Sequence, residues 1–265
     1  MDTVVVIILL LFGLLFGTIS SLAGIGGGGF YMSLMILLLA IPINEARDTS
    51  SFIIVIFSGV TFINYFRQGK VDIKLSLIFA GFALLGGITS TLFFIAFPID
   101  NTILKIVIAS VILASGLNMI RKALKTFNSQ RFNNDKQEFG FSFETFEHSS
   151  NLNKGIPLFF LAGFIAYLTG IGGGMLFVPT LSIIFEIPIH FATAISSVMI
   201  FFIGIYNATV KIFIGEIHYI GGILIAIGAI FGSIVGTKVS GKMPKSHLQF
   251  LVAIVLMALA IRMYF

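Results

Sequence analysis

The sequence predicts an all-α polytopic membrane protein. It is expected to hold two inverted-topology repeats, with short half-helices or re-entrant segments after glycine-rich breaks and about 8–10 membrane segments. Three observations predict it. Of 265 residues, 57% are hydrophobic and 10% are charged, against about 25% charged in soluble domains; mean hydropathy is +1.08. The apolar residues come in runs long enough to cross a bilayer, such as Thr3 to Ala23, which holds no charge. Finally, the second half of the chain repeats the first.

Taken in order, apolar segments cover about 3–23, 30–41, 49–66, 73–97, 102–120, 155–169, 175–187, 193–214, 219–240 and 247–264. Only Asp2, and no basic residue, precedes the first. A secretory signal carries a positive leader, so this run reads as a retained helix. The second and seventh segments are short. At 1.5 Å per residue they reach about 18–20 Å, less than the roughly 30 Å hydrocarbon core. They read as half-helices or as the return arms of re-entrant hairpins.

A shift of 146 residues, without a gap, lays Gly24-Ile25-Gly26-Gly27-Gly28 on Gly170-Ile171-Gly172-Gly173-Gly174 and Ile41-Pro42-Ile43 on Ile187-Pro188-Ile189. Ala46, Ser50, Ser51, Gly69, Gly86, Thr91 and Pro98 fall on Ala192, Ser196, Ser197, Gly215, Gly232, Thr237 and Pro244. Over 24–98 there are 19 identities in 75 positions, where composition alone gives about 7. Each half holds an odd number of crossings, whether five segments cross or three, so the second half enters from the opposite side. That is the inverted-repeat plan of many secondary transporters.

Charge supports the topology. One side receives the 67–74, 121–154 and 238–245 loops, with Arg67, Lys70, Lys74, Arg121, Lys122, Lys125, Arg131, Lys136, Lys154, Lys238, Lys242 and Lys245. The other receives only Arg47, Lys105, Lys211 and Arg262. The basic side is cytoplasmic by the positive-inside rule, and both termini face out. The organisation is a first membrane repeat over 1–120, a cytoplasmic inter-repeat loop over 121–154 and a second membrane repeat over 155–265. The loop carries Phe127, Phe132, Phe139, Phe141, Phe143 and Phe146. It reads as a linker tucked against the helices or as an interfacial segment.

The glycine motifs are the candidate site. Gly24–Gly29 matches the dinucleotide spacing, but it lies between two apolar helices rather than a strand and a helix, and Met175 ends the second copy. Consecutive glycines break a helix inside the bilayer, where bare backbone needs protein or water. The half-helix that follows offers free N–H groups and a positive dipole end to an oxyanion. Two copies converging from opposite halves make an anion cradle of Gly24, Gly26, Gly27, Gly28, Gly170, Gly172, Gly173 and Gly174; the bland alternative is close helix packing. Single glycines such as Gly81, Gly86 and Gly228 read as packing contacts.

Ser50-Ser51 and Ser196-Ser197, with Thr49, stand at expected helix starts, where hydroxyls cap the helix or donate to the anion. Arg47, Asn64 and Asn207 are candidate gate or anion-attracting residues. For Arg47 the alternative is an ion pair with Asp48 or snorkelling; for the asparagines it is a helix–helix hydrogen bond. Lys211 reads as snorkelling at a helix end.

With no cysteine, disulfides and thiolate chemistry are excluded. His148, His190, His218 and His247 fall in loops or at helix edges, and no carboxylate is expected at mid-helix. Neither a metal centre, a cofactor site, a catalytic group nor a proton relay is expected.

The repeated GIGGG, the following I-P-I and the A-x-x-x-S-S in each half resemble the TauE/SafE family of sulfite exporters, also called the TSUP family. The resemblance covers nearly the whole chain. It implies a multi-pass protein of the prokaryotic plasma (inner) membrane that moves small sulfur-containing anions, such as sulfite, thiosulfate or organosulfonates. The expected partners are then a small anionic substrate and the lipid bilayer, with no nucleic acid; oligomeric state is not legible. A transporter of another small solute or ion, or a non-transport membrane assembly partner, is the alternative.

Overall fold

The computed structural model describes residues 3–97, 152–185 and 187–240, together with positions 100, 102, 103, 106, 109, 110, 113, 114, 117, 120, 121, 124, 250, 254, 257 and 261. About half of the 102–120 segment, most of the 247–264 segment and almost all of the 121–154 loop lie outside the described residues. The described elements are helices α1 (Thr3–Ala23), α2 (Gly28–Leu39), α3 (Ile43–Arg67), α4 (Ile73–Ala96), α5 (Leu152–Thr169), α6 (Gly174–Pro179), α7 (Ile189–Ile214) and α8 (Tyr219–Val239). A π-helical turn, Thr180–Ile184, continues α6.

Five of these helices are long and apolar enough to cross a membrane. Their outward faces carry Val4, Leu11, Leu85, Leu92, Phe213, Ile220 and Phe231, all exposed. Such a continuous apolar surface is stable only against lipid or protein. Both short segments are short helices, as expected: α2 has 12 residues, and α6 with its π-turn ends at Ile184.

Two expectations about α3 and α7 change. The apolar runs put their starts at 49 and 193, but the helices begin at Ile43 and Ile189, each directly after a proline. Proline is preset for helix entry and loses no needed N–H there. The polar stretch from Asn44 to Asp48 is therefore helical, and the serine pairs lie about two turns inside, not at a cap.

Contacts recur at the 146-residue offset. Gly17 of α1 packs on Ala229 of α8, and Gly163 of α5 on Ala83 of α4. Gly232 of α8 meets Leu14 and Thr18 of α1, and Gly86 of α4 meets Phe160 and Phe164 of α5. At each of these glycines a side chain would strike a neighbour's backbone, so the small residue lets two helix backbones touch. Gly228 does the same against Leu10, whereas a Cβ on Gly81 would meet nothing within 4 Å among the described residues.

The α3–α7 pair forms the centre. Asp48 lies beside Gly215, Lys211 beside Ser51, Val55 beside Gly204 and Gly59 beside Phe201. Residue numbers rise on one helix as they fall on the other, so the two run antiparallel. The 68–72 turn lies with the end of α8, where Gln68 Nε2 donates to the Thr237 carbonyl at 3.2 Å. The 215–218 turn lies at the other end of α3, where the His218 N–H donates to Thr49 Oγ1 at 2.8 Å.

A membrane crossing site with a one-sided ion cluster

The two glycine turns meet between α3 and α7. Gly24, Gly26 and Gly27 have φ of 68°, 82° and 74°, and Gly170, Gly172 and Gly173 have 68°, 92° and 71°. These are left-handed conformations that side chains resist, which explains runs of glycine in place of one. The turns also touch. A Cβ on Gly28 would collide with the Gly170 carbonyl and Ile54, and one on Gly174 with the Gly24 carbonyl and Ile200. Ile54 and Ile200 lie near the midpoints of α3 and α7.

Each short helix leaves donors at this crossing. The Phe30 and Tyr31 N–H groups use the Gly27 carbonyl, as Leu176 and Phe177 use that of Gly173, while Gly174 donates to Gly172. The N–H groups of Gly28, Gly29 and Met175 precede the first intrahelical acceptors.

The serines tie the turns across the halves. Ser50 Oγ donates to the Gly170 carbonyl at 2.8 Å, and Ser196 Oγ to the Gly24 carbonyl at 2.8 Å. Ser197 Oγ donates to the Thr193 carbonyl at 2.9 Å and Thr49 Oγ1 to that of Glu45 at 2.6 Å. The hydroxyls thus bond to backbone in this conformation, and none of them caps a helix.

An ion cluster lies at the start of α3. Arg47 Nε donates to Asp48 Oδ1 at 2.8 Å, and Lys211 Nζ lies 3.3 Å from the same oxygen. Lys211 also donates to Ser51 Oγ at 2.9 Å and to the Tyr167 carbonyl at 3.4 Å. The Arg47 guanidinium stacks 4.5 Å from the Phe94 ring centroid. All three charged residues are buried. Lys211 does not snorkel: it is 2% exposed and turned inward, because Asp48 and Ser51 supply the partners a buried ammonium requires. Asp48 is likewise a buried carboxylate within a helix long and apolar enough to span, where the apolar run begins only at 49. Among the described residues the cluster holds two basic groups against one acidic group.

Ser51, Ile54, Ala166, Gly172, Ile203, Gly204 and Asn207 line a small cavity between the glycine crossing and this cluster. Asn207 is 3% exposed, and its Oδ1 has no hydrogen-bond partner among the described residues. The structure therefore brings Ser51, Gly172 and Asn207 together and sets Lys211 against Ser51. Asn64 lies more than three turns further along α3, its Nδ2 also unpartnered among the described residues, and does not join them. Sequence reading missed Lys211 and Asp48 as a pair. The repeat offset was the available signal: Lys211 falls on Tyr65, Asp48 on Ala194 and Arg47 on Thr193, so the charge has no counterpart in the other half.

A chain whose described elements are helices, with five long and apolar enough to cross a membrane and others broken at glycine turns, is a multi-pass membrane protein. Residues 9–263 match the family described as sulfite exporter TauE/SafE, and the chain belongs to that family of membrane transporters. It is 28% identical to the probable membrane transporter protein YunE of Bacillus subtilis, over 98% of this chain and 97% of that one. It is 23% identical to the probable membrane transporter protein YdhB of the same organism, covering 92% and 93%. A third relative, the probable membrane transporter protein MJ0441 of Methanocaldococcus jannaschii, is 24% identical over 94% and 91%. No solved structure matches the chain.

Proposed function

We propose that the chain exports a small sulfur-containing anion, such as sulfite, thiosulfate or an organosulfonate. Two inverted repeats would alternate access around a site where the glycine turns cross. The observation that carries the anion is the buried excess of basic over acidic groups at Arg47, Asp48 and Lys211, one hydrogen bond from a serine that lines the central cavity. Buried charge of one sign calls for a partner of the other. The sulfur chemistry comes from the family description.

Inversion is supported by the antiparallel run of α3 and α7, which are offset mates, and by the exchanged bonds of Ser50 and Ser196. The anion would be held by N–H groups of 24–28 and 170–174, by the Ser50, Ser51, Ser196 and Ser197 hydroxyls and by Thr49. Those hydroxyls would leave their carbonyls as the crossing opens. Arg47 would draw the anion toward the cavity, and Asn207 would stand as a gate residue in its wall. Export is favoured because an inside-negative potential makes anion exit downhill by about 2.3 kcal/mol per charge per 100 mV. The membrane is then the prokaryotic inner membrane, with the 121–154 loop cytoplasmic and both termini outside.

The test is uptake of sulfite, thiosulfate and sulfoacetate beside chloride and phosphate into liposomes holding the purified protein. Saturable flux of a sulfur anion, not matched by chloride or phosphate, is expected. Folded protein that moves none of the sulfur anions overturns the substrate assignment.

A further inference from the structure

We infer that the Asp48 carboxylate is a built-in substitute for the transported anion. In this account the anion takes the place of Asp48 on Lys211 during transport, and the exchange loosens one end of the pathway only. The inference rests on the anion reading above.

Three observations carry it. The first is sharing: Asp48 Oδ1 accepts from Arg47 and also faces Lys211. An oxyanion has the same chemistry as that carboxylate and can replace it on a lysine ammonium. The second is the other oxygen. Asp48 Oδ2 accepts from the Glu216 N–H at 3.3 Å, and the next residue, Thr49, accepts from the His218 N–H. The start of α3 therefore fastens the turn between α7 and α8. Moving Asp48 off Lys211 pulls on that turn.

The third is the comparison between halves. At the position of Lys211 the first half has Tyr65, whose hydroxyl donates to the Ser21 carbonyl at 2.7 Å. Lys211 contacts the Tyr167 carbonyl, the offset mate of that bond. Shared packing is thus satisfied by a neutral tyrosine, and an ion cluster is not needed to build this joint. Thr193 and Ala194 replace Arg47 and Asp48 there. A buried ion pair gives little net stability over a neutral, well-packed alternative. Its presence at this end, with no matching cluster among the described residues of the other, then points to an exchange with a charged ligand.

The test measures sulfite binding and flux in purified, reconstituted Asp48→Asn protein. Exchange predicts that half-saturation for sulfite falls about tenfold, since the internal competitor is gone, while turnover slows because nothing expels the bound anion. A folded variant whose sulfite affinity is unchanged or weaker overturns the inference. If Asp48→Asn does not fold, the triple variant Arg47→Thr, Asp48→Ala, Lys211→Tyr carries the first half's neutral design. Exchange predicts a folded protein with no sulfite binding; retained binding overturns it. Wild-type protein without sulfite flux or binding would instead remove the anion reading itself, and the exchange with it.

Discussion

Gly28 and Gly174 show how a residue-scale demand produces a sequence motif. Neither has a left-handed backbone of its own; each is pressed on the other half's turn, where a side chain would strike a carbonyl. Gly28→Ala and Gly174→Ala are each expected to lower stability by about 1–3 kcal/mol through overpacking, read as reduced thermal stability in detergent. Wild-type stability in both would mean that the two turns do not touch. The glycine runs were legible in the sequence because three consecutive glycines are costly unless something requires them. Lys211 was not legible. Its apolar neighbours and its place near a helix end fit a snorkelling side chain equally well, and its partner Asp48 lies more than 160 residues away on another helix. A long-range ion pair leaves no local pattern.

Helices α3 and α7 carry the element-scale argument. The start of α3 falls earlier than its apolar run because Arg47 and Asp48, once paired, stay inside the helix, which begins directly after Pro42. The start of α7 likewise falls directly after Pro188, ahead of its apolar run, with no charged residue between 189 and 193. The apolar periods of α1, α4 and α8 were plain because their lipid-facing residues need no partner. The offset mates Gly69 and Gly215 sit in turns at opposite ends of α3, so single cysteines placed at Gly69 and Glu216 are expected to react with a membrane-impermeant maleimide from opposite faces. Gly69→Cys should label from the cytoplasmic side and Glu216→Cys from outside. Both residues are exposed, so labelling is not limited by burial. Labelling of both from the same side would contradict inversion.

For the whole molecule, contacts that recur between the halves surround a cluster of charge that has no mate at the 146-residue offset. Packing contacts at Gly17 and Gly163, and at Gly232 and Gly86, recur between the halves, while the positions of Arg47, Asp48 and Lys211 hold Thr193, Ala194 and Tyr65 in the other half. A symmetric frame lets two arrangements of similar energy exist; a one-sided charge makes them unequal for an anion. The central claim is that this frame carries a sulfur oxyanion as a charged species. It is tested most directly by sulfite efflux from proteoliposomes clamped with a potassium gradient and valinomycin. The account predicts saturable efflux that speeds up as the interior is made more negative and is abolished in Lys211→Gln. Efflux no faster than from protein-free vesicles at every potential, with protein shown to be folded, would contradict it.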